Sequence, residues 1–374
     1  MVKTQEHYNI PKTQTAIVYE VCGAPLHVRK DWPVVQPSEL EPGQVLVRMA
    51  YSGVCHSDIL LWDGTANLPG RKLPIVGGHE DTGYVAAIGE YTHTSLKIGD
   101  PVGIKFVESC CLGCEDCRKG NESICESITH HGSGVDGTFQ QWCVSYADHV
   151  TPIPKGCDLA AATPILCAGW MVYAALKSFG GSCGEYVSIP GAGGGLGHLA
   201  CQYAVTVDFR VIAIDTGDEK RKLIESYGIK DFVDFKSDNV VEKVKALSGG
   251  RGVHAACVVS NGARSYTEAL QYLRPNGAVL LVGIPSDGAP TPLPVGVAAA
   301  FMYRIFGRNT GNRQDAVEAI NLAANGAVKS NYTINQLQNL PEVFKGMGAG
   351  EHGGAESITQ HQPPSRNRKL LRLE

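Results

Sequence analysis

Between residues 165 and 306 short apolar runs alternate with helical stretches, and this rhythm restricts the fold more than any other feature of the chain. The apolar runs fall at residues 186–189, 210–214, 255–259 and 278–282, and helix-like spacing occupies residues 199–205 and 220–227. When a helix separates each strand from the next, the chain must cross back over the sheet before it pairs again. The arrangement this favours is a parallel sheet wrapped by helices. From residue 15 to about 164 the pattern differs: short apolar segments such as 44–50 and 83–88 are bounded by glycine or proline, which predicts irregular β structure. A chain of 374 residues also exceeds what one hydrophobic core usually holds. Two domains of an α/β protein are therefore expected.

Composition narrows the partners. Hydrophobic residues at 43% and charged residues at 19% are those of an ordinary globular protein. A formal net charge of −4, with basic residues dispersed until the last few, leaves no cationic face for nucleic acid or an anionic membrane, so a small-molecule partner is expected. Residues 1–15 are polar and charged without an apolar core segment, which indicates neither a secretory leader nor a membrane anchor and makes the cytoplasm the default location. In that reducing compartment thirteen cysteines point to metal binding wherever they cluster. A helix over 315–324 and a short one near 340–344 are expected to return to the first domain. Beyond residue 346 the chain is glycine-rich and then basic, with no period, which predicts a loosely ordered tail.

Cys111, Cys114, Cys117 and Cys125 stand in the pattern Cys-x2-Cys-x2-Cys-x7-Cys on a segment that also holds Gly113, Gly120 and Asn121. Four thiolates joined by turns this short can close a tetrahedron around Zn²⁺, and a shell of four sulfurs leaves no position for substrate, which makes such a site structural. An iron–sulfur cluster also takes four thiolates, but the ferredoxin spacings differ. Cys110 is a fifth thiol beside the set, and even two-residue intervals favour Cys111 as the first ligand.

The apolar run ending at Pro190 leads into Gly191, Ala192, Gly193, Gly194, Gly195, Leu196 and Gly197, and then into helical residues 198–205. A glycine turn between strand and helix lets the backbone approach a pyrophosphate, which sits against the free N–H groups of the helix start. The next apolar run ends in Asp215, at the distance from which an acid takes both ribose hydroxyls and repels a 2′-phosphate, so NAD(H) is expected. The turn is one residue longer than the shortest fingerprint, and the register of its glycines stays open.

Cys55-His56 within residues 54–58, His79-Glu80 within 77–80 and Cys167 within 164–169 are far apart in sequence. In this order around a four-cysteine segment they resemble the medium-chain zinc-dependent alcohol dehydrogenases. The similarity runs over roughly residues 15–344 and is strongest toward the fungal, yeast-type fermentative branch. It is carried by Gly-Gly-His-Glu (77–80), Gly-Asn-Glu-Ser (120–123), Gly-Thr-Phe-Gln-Gln (137–141), Pro-Ile-Leu-Cys-Ala-Gly (164–169) and Gly-Asn-Arg (311–313).

The resemblance implies a GroES-like irregular β catalytic domain over residues 1–166 that carries both zinc sites. A Rossmann doubly wound parallel-sheet cofactor domain follows over 167–306, then a return to the first domain over 307–346 and an atypical tail over 347–374. It implies that Cys55, His79 and Cys167 hold a catalytic zinc with one open position, polarising a substrate oxygen. It also implies that Asp58 and Glu80 are carboxylates behind the ligands, with Asp58 orienting His79. Ser57 would receive the alcohol proton, His56 would contact the pyrophosphate and Lys220 the adenosine ribose. The implied reaction interconverts a primary alcohol and its aldehyde with NAD(H). Relatives assemble through the sheets of their cofactor domains, so a homodimer or homotetramer is expected, with the apolar residues 278–284 and 295–306 as a candidate edge.

Three departures stand out. Leu60 occupies the position of the family's relay histidine, so proton exit needs water or another base. Phe106 and the neighbourhood of Ala66-Asn67 replace pocket tryptophans, which widens the pocket and predicts a substrate bulkier than ethanol, such as a specialised metabolite. Nothing after Gly346 matches the family's closing strand with its Gly-Arg pair; Arg366, Arg368 and Arg372 lie in an unrelated basic tail. Two other readings compete: a zinc-free quinone or enoyl reductase of the same superfamily, against which both metal sets argue, and a catalytically impaired binding protein, supported only by the altered tail.

Overall fold

The computed structural model describes residues 8–66, 68, 70–285, 290–348 and 355–359. The first domain carries strands β1 (Thr13–Tyr19), β2 (His27–Pro33), β3 (Gln44–Val54), β4 (Ile75–Val76), β5 (Asp81–Ile88), β6 (Pro101–Ile104), β7 (Val107–Ser109), β8 (Thr129–His130), β9 (Trp142–Tyr146) and β10 (Thr151–Pro152). Its helices are short: α1 (His56–Asp63), α2 (Glu115–Arg118) and α3 (Leu159–Ala162). β1 pairs with β2 and β4, β7 with β8, and the central β3 pairs with both β5 and β9. The expected segments 44–50 and 83–88 are parts of β3 and β5, whose apolar residues Val45, Val47, Met49 and Val85 share a core with Val102 and Ile104 of β6.

The second domain opens with α4 (Ala168–Phe179) and continues β11 (Tyr186–Pro190), α5 (Gly197–Thr206), β12 (Arg210–Asp215), α6 (Asp218–Ser226), β13 (Asp231–Asp234), α7 (Val240–Leu247), β14 (Val253–Val258), α8 (Ala263–Tyr272), β15 (Leu273–Leu281), α9 (Val295–Ala300) and β16 (Arg304–Gly307). The strands form one six-stranded sheet in the order β13-β12-β11-β14-β15-β16, and every pairing in it is parallel. This is the doubly wound order, and the two faces carry separate cores. Val187, Ile189, Ala255 and Leu280 pack under α4 and α5, while Ile212, Val258 and Val279 pack under α7 and α8. The strand order reverses between β11 and β14, which opens a crevice beyond the carboxyl end of β11, where the glycine turn lies.

The chain then runs through α10 (Arg313–Ala324), β17 (Tyr332–Gln336), α11 (Leu340–Gly348) and β18 (Ala355–Thr359). One expectation is corrected here. α10 packs on both domains: Ala319 and Ile320 share a core with α4, α5 and the parallel sheet and with Leu159, Ala162, Ile165 and Leu166, while Ala316 packs with Val107. Leu337, Leu340, Val343 and Phe344 join the core of β1. The residues after 346 are expected to be loosely ordered, yet 355–359 form β18, parallel to β17 and antiparallel to β3. Main-chain pairing explains this, because an edge of unpaired N–H and C=O groups accepts a strand without demanding a particular side chain. Asn67, Arg366, Arg368 and Arg372 lie outside the described residues. Among the described residues no single helix is long and apolar enough to cross a membrane.

Candidate metal centres and cofactor cradle

Strand β3 hands the chain to α1 through Cys55, which serves as N-cap. The cap fixes the cysteine, because its main-chain N–H donates to Asp58 Oδ2 at 2.8 Å. Asp58 is fully buried, and its other oxygen, Oδ1, pairs with His79 Nδ1 at 2.8 Å. With Nδ1 so occupied, Nε2 of His79 faces Cys167 Sγ at 3.3 Å, and Cys167 Sγ lies 3.7 Å from Cys55 Sγ. Cys167 is the N-cap of α4, so the three side chains come from the end of β3, the entry to β5 and the start of α4. Their donor atoms all lie within 4.8 Å of one another.

The chemistry of this set fits zinc. A hydrogen bond from the Cys167 thiol, joined by contacts from His79 and Ser57, holds the Cys55 thiol well below its usual range despite burial. The same contact and burial push Cys167 up, so the pair shares a proton that a cation would displace. A half-buried thiol held low, a second, buried thiol and an imidazole held by a carboxylate match the Cys₂His donor set of a catalytic zinc site, for which alcohol dehydrogenase is the general example. Ser57 Oγ lies 3.1 Å from Cys55 Sγ and 3.4 Å from His79 Nε2, beside the donors. Glu80 is buried behind them, and burial together with the charge on Cys55 holds its carboxyl well above the usual range. Gly53 makes room for it: a Cβ there would lie 2.5 Å from the Glu80 carboxyl carbon.

Phe106 meets His79 edge-on at 5.3 Å between ring centres and stacks on His130 at 4.3 Å. Leu60 is half-buried on α1, and His56, at the first position of that helix, is exposed.

The four-cysteine segment folds around α2, whose N-cap is Cys114. The Sγ atoms of Cys111, Cys114, Cys117 and Cys125 all lie within 4.8 Å of one another, and three of their separations are 3.5, 3.9 and 4.0 Å. A tetrahedron with Zn–S bonds of about 2.3 Å has edges of about 3.8 Å, so the spacing fits a closed zinc shell. Main-chain N–H groups of Gly113 and Cys114 pull the Cys111 thiol down to about 6, the direction that favours a ligand thiolate. Cys110 stands outside the set, with its sulfur 3.6 Å from Cys117 Sγ and 3.3 Å from His149 Nε2. The mutual convergence of the four sulfurs includes Cys111, the member that the even intervals favour.

In the glycine turn, Gly191 has φ +89 and Gly197 opens α5. A Cβ on Gly197 would lie 1.9 Å from Gly191 O, so these two positions fix the register that the sequence left open: one makes the turn and the other lets helix meet strand. Gly193 N–H donates to Asp215 Oδ2 at 2.8 Å, and Oδ1 of the same buried carboxylate receives Thr216 N–H at 2.8 Å and Lys220 Nζ at 2.9 Å. The turn, with Gly194, Gly195 and Leu196 at its tip, therefore sits directly over Asp215 and Lys220.

Sequence reasoning gave no role to Glu122 or Arg313, although both lie in motifs that carry the family resemblance. The Glu122 carboxylate accepts the main-chain N–H of Arg313 at 3.1 Å and its Nε at 2.8 Å, which clamps the four-cysteine segment to the start of α10. Nor did it single out Lys105, a buried lysine whose Nζ donates to His149 O and, at 2.9 Å, to Thr151 Oγ1.

Comparison with known proteins gives concordant matches. The family model of the alcohol dehydrogenase GroES-like domain matches residues 41–155, and that of the zinc-binding dehydrogenases matches residues 195–325. The chain is 42% identical over 347 residues to an alcohol dehydrogenase of Schizosaccharomyces pombe, covering 92% of this chain and 97% of that protein. It is also 42% identical over 348 residues to alcohol dehydrogenase 1 of Emericella nidulans, with the same coverage of 92% and 97%. Among solved structures, the alcohol dehydrogenase of the hyperthermophilic archaeon Aeropyrum pernix superposes with a TM-score of 0.82 at 29% identity, over 92% of this chain and 99% of that one.

Proposed function

The chain belongs to the zinc-binding alcohol dehydrogenases with a GroES-like domain, enzymes that interconvert alcohols and aldehydes, and from that premise we propose which of its residues perform the reaction and on what class of substrate. The observation that carries the reading is the convergence of Cys55, His79 and Cys167 on one point, with His79 turned toward it by Asp58. A zinc ion held by these three donors supplies Lewis acidity toward the substrate oxygen, and a dinucleotide at the glycine turn supplies the hydride acceptor or donor. Ser57, hydrogen-bonded at the donor cluster, takes the proton that the alcohol loses. Because residue 60 is leucine, that proton leaves by water or by a base other than a side chain at position 60. Asp58 keeps His79 in the tautomer that presents Nε2, and buried Glu80 packs behind the same cluster.

Asp215 favours NAD(H), since a buried carboxylate under the turn repels a 2′-phosphate. Gly191, Gly193, Gly194, Gly195, Leu196 and Gly197 would cradle the pyrophosphate, His56 would contact it, and Lys220, paired with Asp215, would serve the adenosine ribose. Cys111, Cys114, Cys117 and Cys125 hold a second, structural zinc. Phe106 beside His79 supports a substrate bulkier than ethanol, because phenylalanine fills less of the pocket than the tryptophan of relatives. The thirteen unpaired cysteines support a reducing, cytoplasmic location. The apolar edge at β16 supports a dimer or tetramer.

Metal analysis and steady-state kinetics test the reading together. The purified protein is expected to carry two zinc ions per chain, Cys167→Ser one, and kcat/KM for benzyl or cinnamyl alcohol is expected to exceed that for ethanol. A single zinc in the wild type would remove the catalytic site, and a preference for ethanol would remove the widened pocket.

A further inference from the structure

His198 is the second residue of α5, on the helix that follows the glycine turn, and none of its side chain is exposed. Its Nδ1 lies 3.0 Å from Gly194 O and its Nε2 lies 3.1 Å from the main-chain nitrogen of Asn331. A carbonyl can only accept and a main-chain N–H can only donate, so the ring is neutral, with its proton on Nδ1. Burial pushes the imidazole below its ordinary range, in keeping with that form. Gly194 O also receives the main-chain N–H of His198 at 3.0 Å, so one residue grips the tip of the turn twice.

One turn further along α5, Gln202 is also buried. Its Nε2 donates to His198 O at 3.0 Å and to Lys329 O at 2.9 Å, and its Oε1 receives Lys329 N–H at 2.8 Å. Lys329 and Asn331 belong to the crossover by which the chain leaves α10 and re-enters the first domain as β17. The crossover is tied to that domain too, since Ser330 Oγ donates to Ala161 O at 2.8 Å. β17 pairs with β18, and β18 pairs with β3 at residues 51–54, immediately before Cys55. A continuous series of hydrogen bonds therefore runs from the glycine turn to the strand that delivers a candidate metal ligand.

Helix α5 needs neither side chain to form, because its neighbours Leu199, Ala200, Cys201 and Ala204 already bury it against the sheet. Two buried polar side chains whose partners include main-chain groups of the crossover have a different consequence: removing them leaves buried donors and acceptors unpaired there. We infer that His198, assisted by Gln202, is a positioning residue that couples the glycine turn to the interdomain crossover, so that dinucleotide affinity depends on the crossover as well as on the cofactor domain. This rests on the reading of residues 191–197 as the dinucleotide cradle.

The two ring nitrogens can be tested separately. His198→Asn places an amide near the position of Nδ1, keeping the donor to Gly194 O but cutting the tie to Asn331. His198→Ala cuts both, and Gln202→Leu cuts only the tie to Lys329. The measurement is the Kd for NADH, by nucleotide fluorescence titration of the zinc-loaded protein, with Tm and zinc content recorded for each variant. His198→Ala is expected to raise Kd about tenfold and His198→Asn by nearly as much, because a series coupling fails when either link is cut. Gln202→Leu is expected to raise it several-fold, and kcat at saturating cofactor is expected to stay within about twofold of wild type. Wild-type affinity in His198→Asn would reduce the residue to local support of the turn and overturn the inference, as would unchanged affinity in both His198→Ala and Gln202→Leu. If His198→Ala does not fold, Gln202→Leu and His198→Asn decide the matter. Failure of the wild type itself to bind NADH would instead remove the cradle reading on which the inference rests.

Discussion

A single carboxylate, Asp58, holds the Cys55 backbone through Oδ2 and the His79 ring through Oδ1, so one side chain sets two of the three donors. Lys105 shows a different economy. It is 2% exposed, its Nζ sits 5.5 Å from the Trp170 ring centre, and burial pushes it down to about 7 against the opposing pull of Glu122. In the unfolded chain the same amine titrates near 10.4. Between about pH 7 and pH 10 the unfolded state therefore holds more protons than the folded one, and this residue's contribution makes stability rise with pH across that window. Below about pH 7 both states are charged and the cost of the buried ammonium is present in full. Lys105→Met removes the titration. Compared with wild type, the variant is expected to gain stability as pH falls from 9 to 7, by up to about 1.4 kcal/mol per unit. Urea midpoints at pH 7, 8 and 9 would read this, and parallel curves for the two proteins would contradict it.

At the scale of elements, the four-cysteine segment is a lobe with few apolar contacts, held to the rest of the molecule by polar ones. Glu122 in its 3-10 turn receives two bonds from Arg313 at the start of α10. α10 is in turn fastened to α4: Trp170 Nε1 donates to Asn312 O at 2.8 Å, and Lys177 Nζ pairs with Asp315 at 2.9 Å. Because α4 begins at Cys167, the two cysteine sets belong to one chain of packed elements. Removing the arginine strands a carboxylate whose side chain is only 9% exposed, whereas Glu122→Gln leaves a neutral amide and an arginine that can reach water. Arg313→Ala is therefore expected to cost more than Glu122→Gln, about 1–2 kcal/mol after allowance for the exposure of the pair. It should also hasten release of one zinc per chain to a chelator. Thermal melts and a colorimetric zinc-release assay would check the order; a larger effect from Glu122→Gln would reverse the argument.

For the whole molecule, the parallel sheet ends at β16, which pairs only with β15 among the described residues. Around it Val295 is 69% exposed, Met302 67% and Ile305 43%, an apolar concentration that a lone chain would leave in water. Pairing of two copies along this edge would bury it and extend the sheet. Light scattering is expected to find a dimer or tetramer, and Ile305→Lys is expected to shift the population toward smaller species while the far-UV spectrum is preserved. A wild-type monomer at micromolar concentration would refute the assembly.

Some of this was present in local spacing. The alternation between residues 165 and 306 led to the six-stranded parallel sheet, and Asp215 at the end of its strand lies under the glycine turn as the pattern required. The four cysteines converge because three short intervals leave them little other choice. These features depend on neighbours along the chain, where a few covalent bonds limit how far two groups can be. Cys55, His79 and Cys167 were joined at the sequence level only through resemblance to a family, since gaps of 24 and 88 residues impose no such limit. What the tertiary structure alone decided shares that character: the strand at residues 355–359, the packing of α10 across both domains, and the neutral form of His198. Each depends on groups that long loops carry together, and their meeting is set by packing and hydrogen-bond satisfaction rather than by order along the backbone.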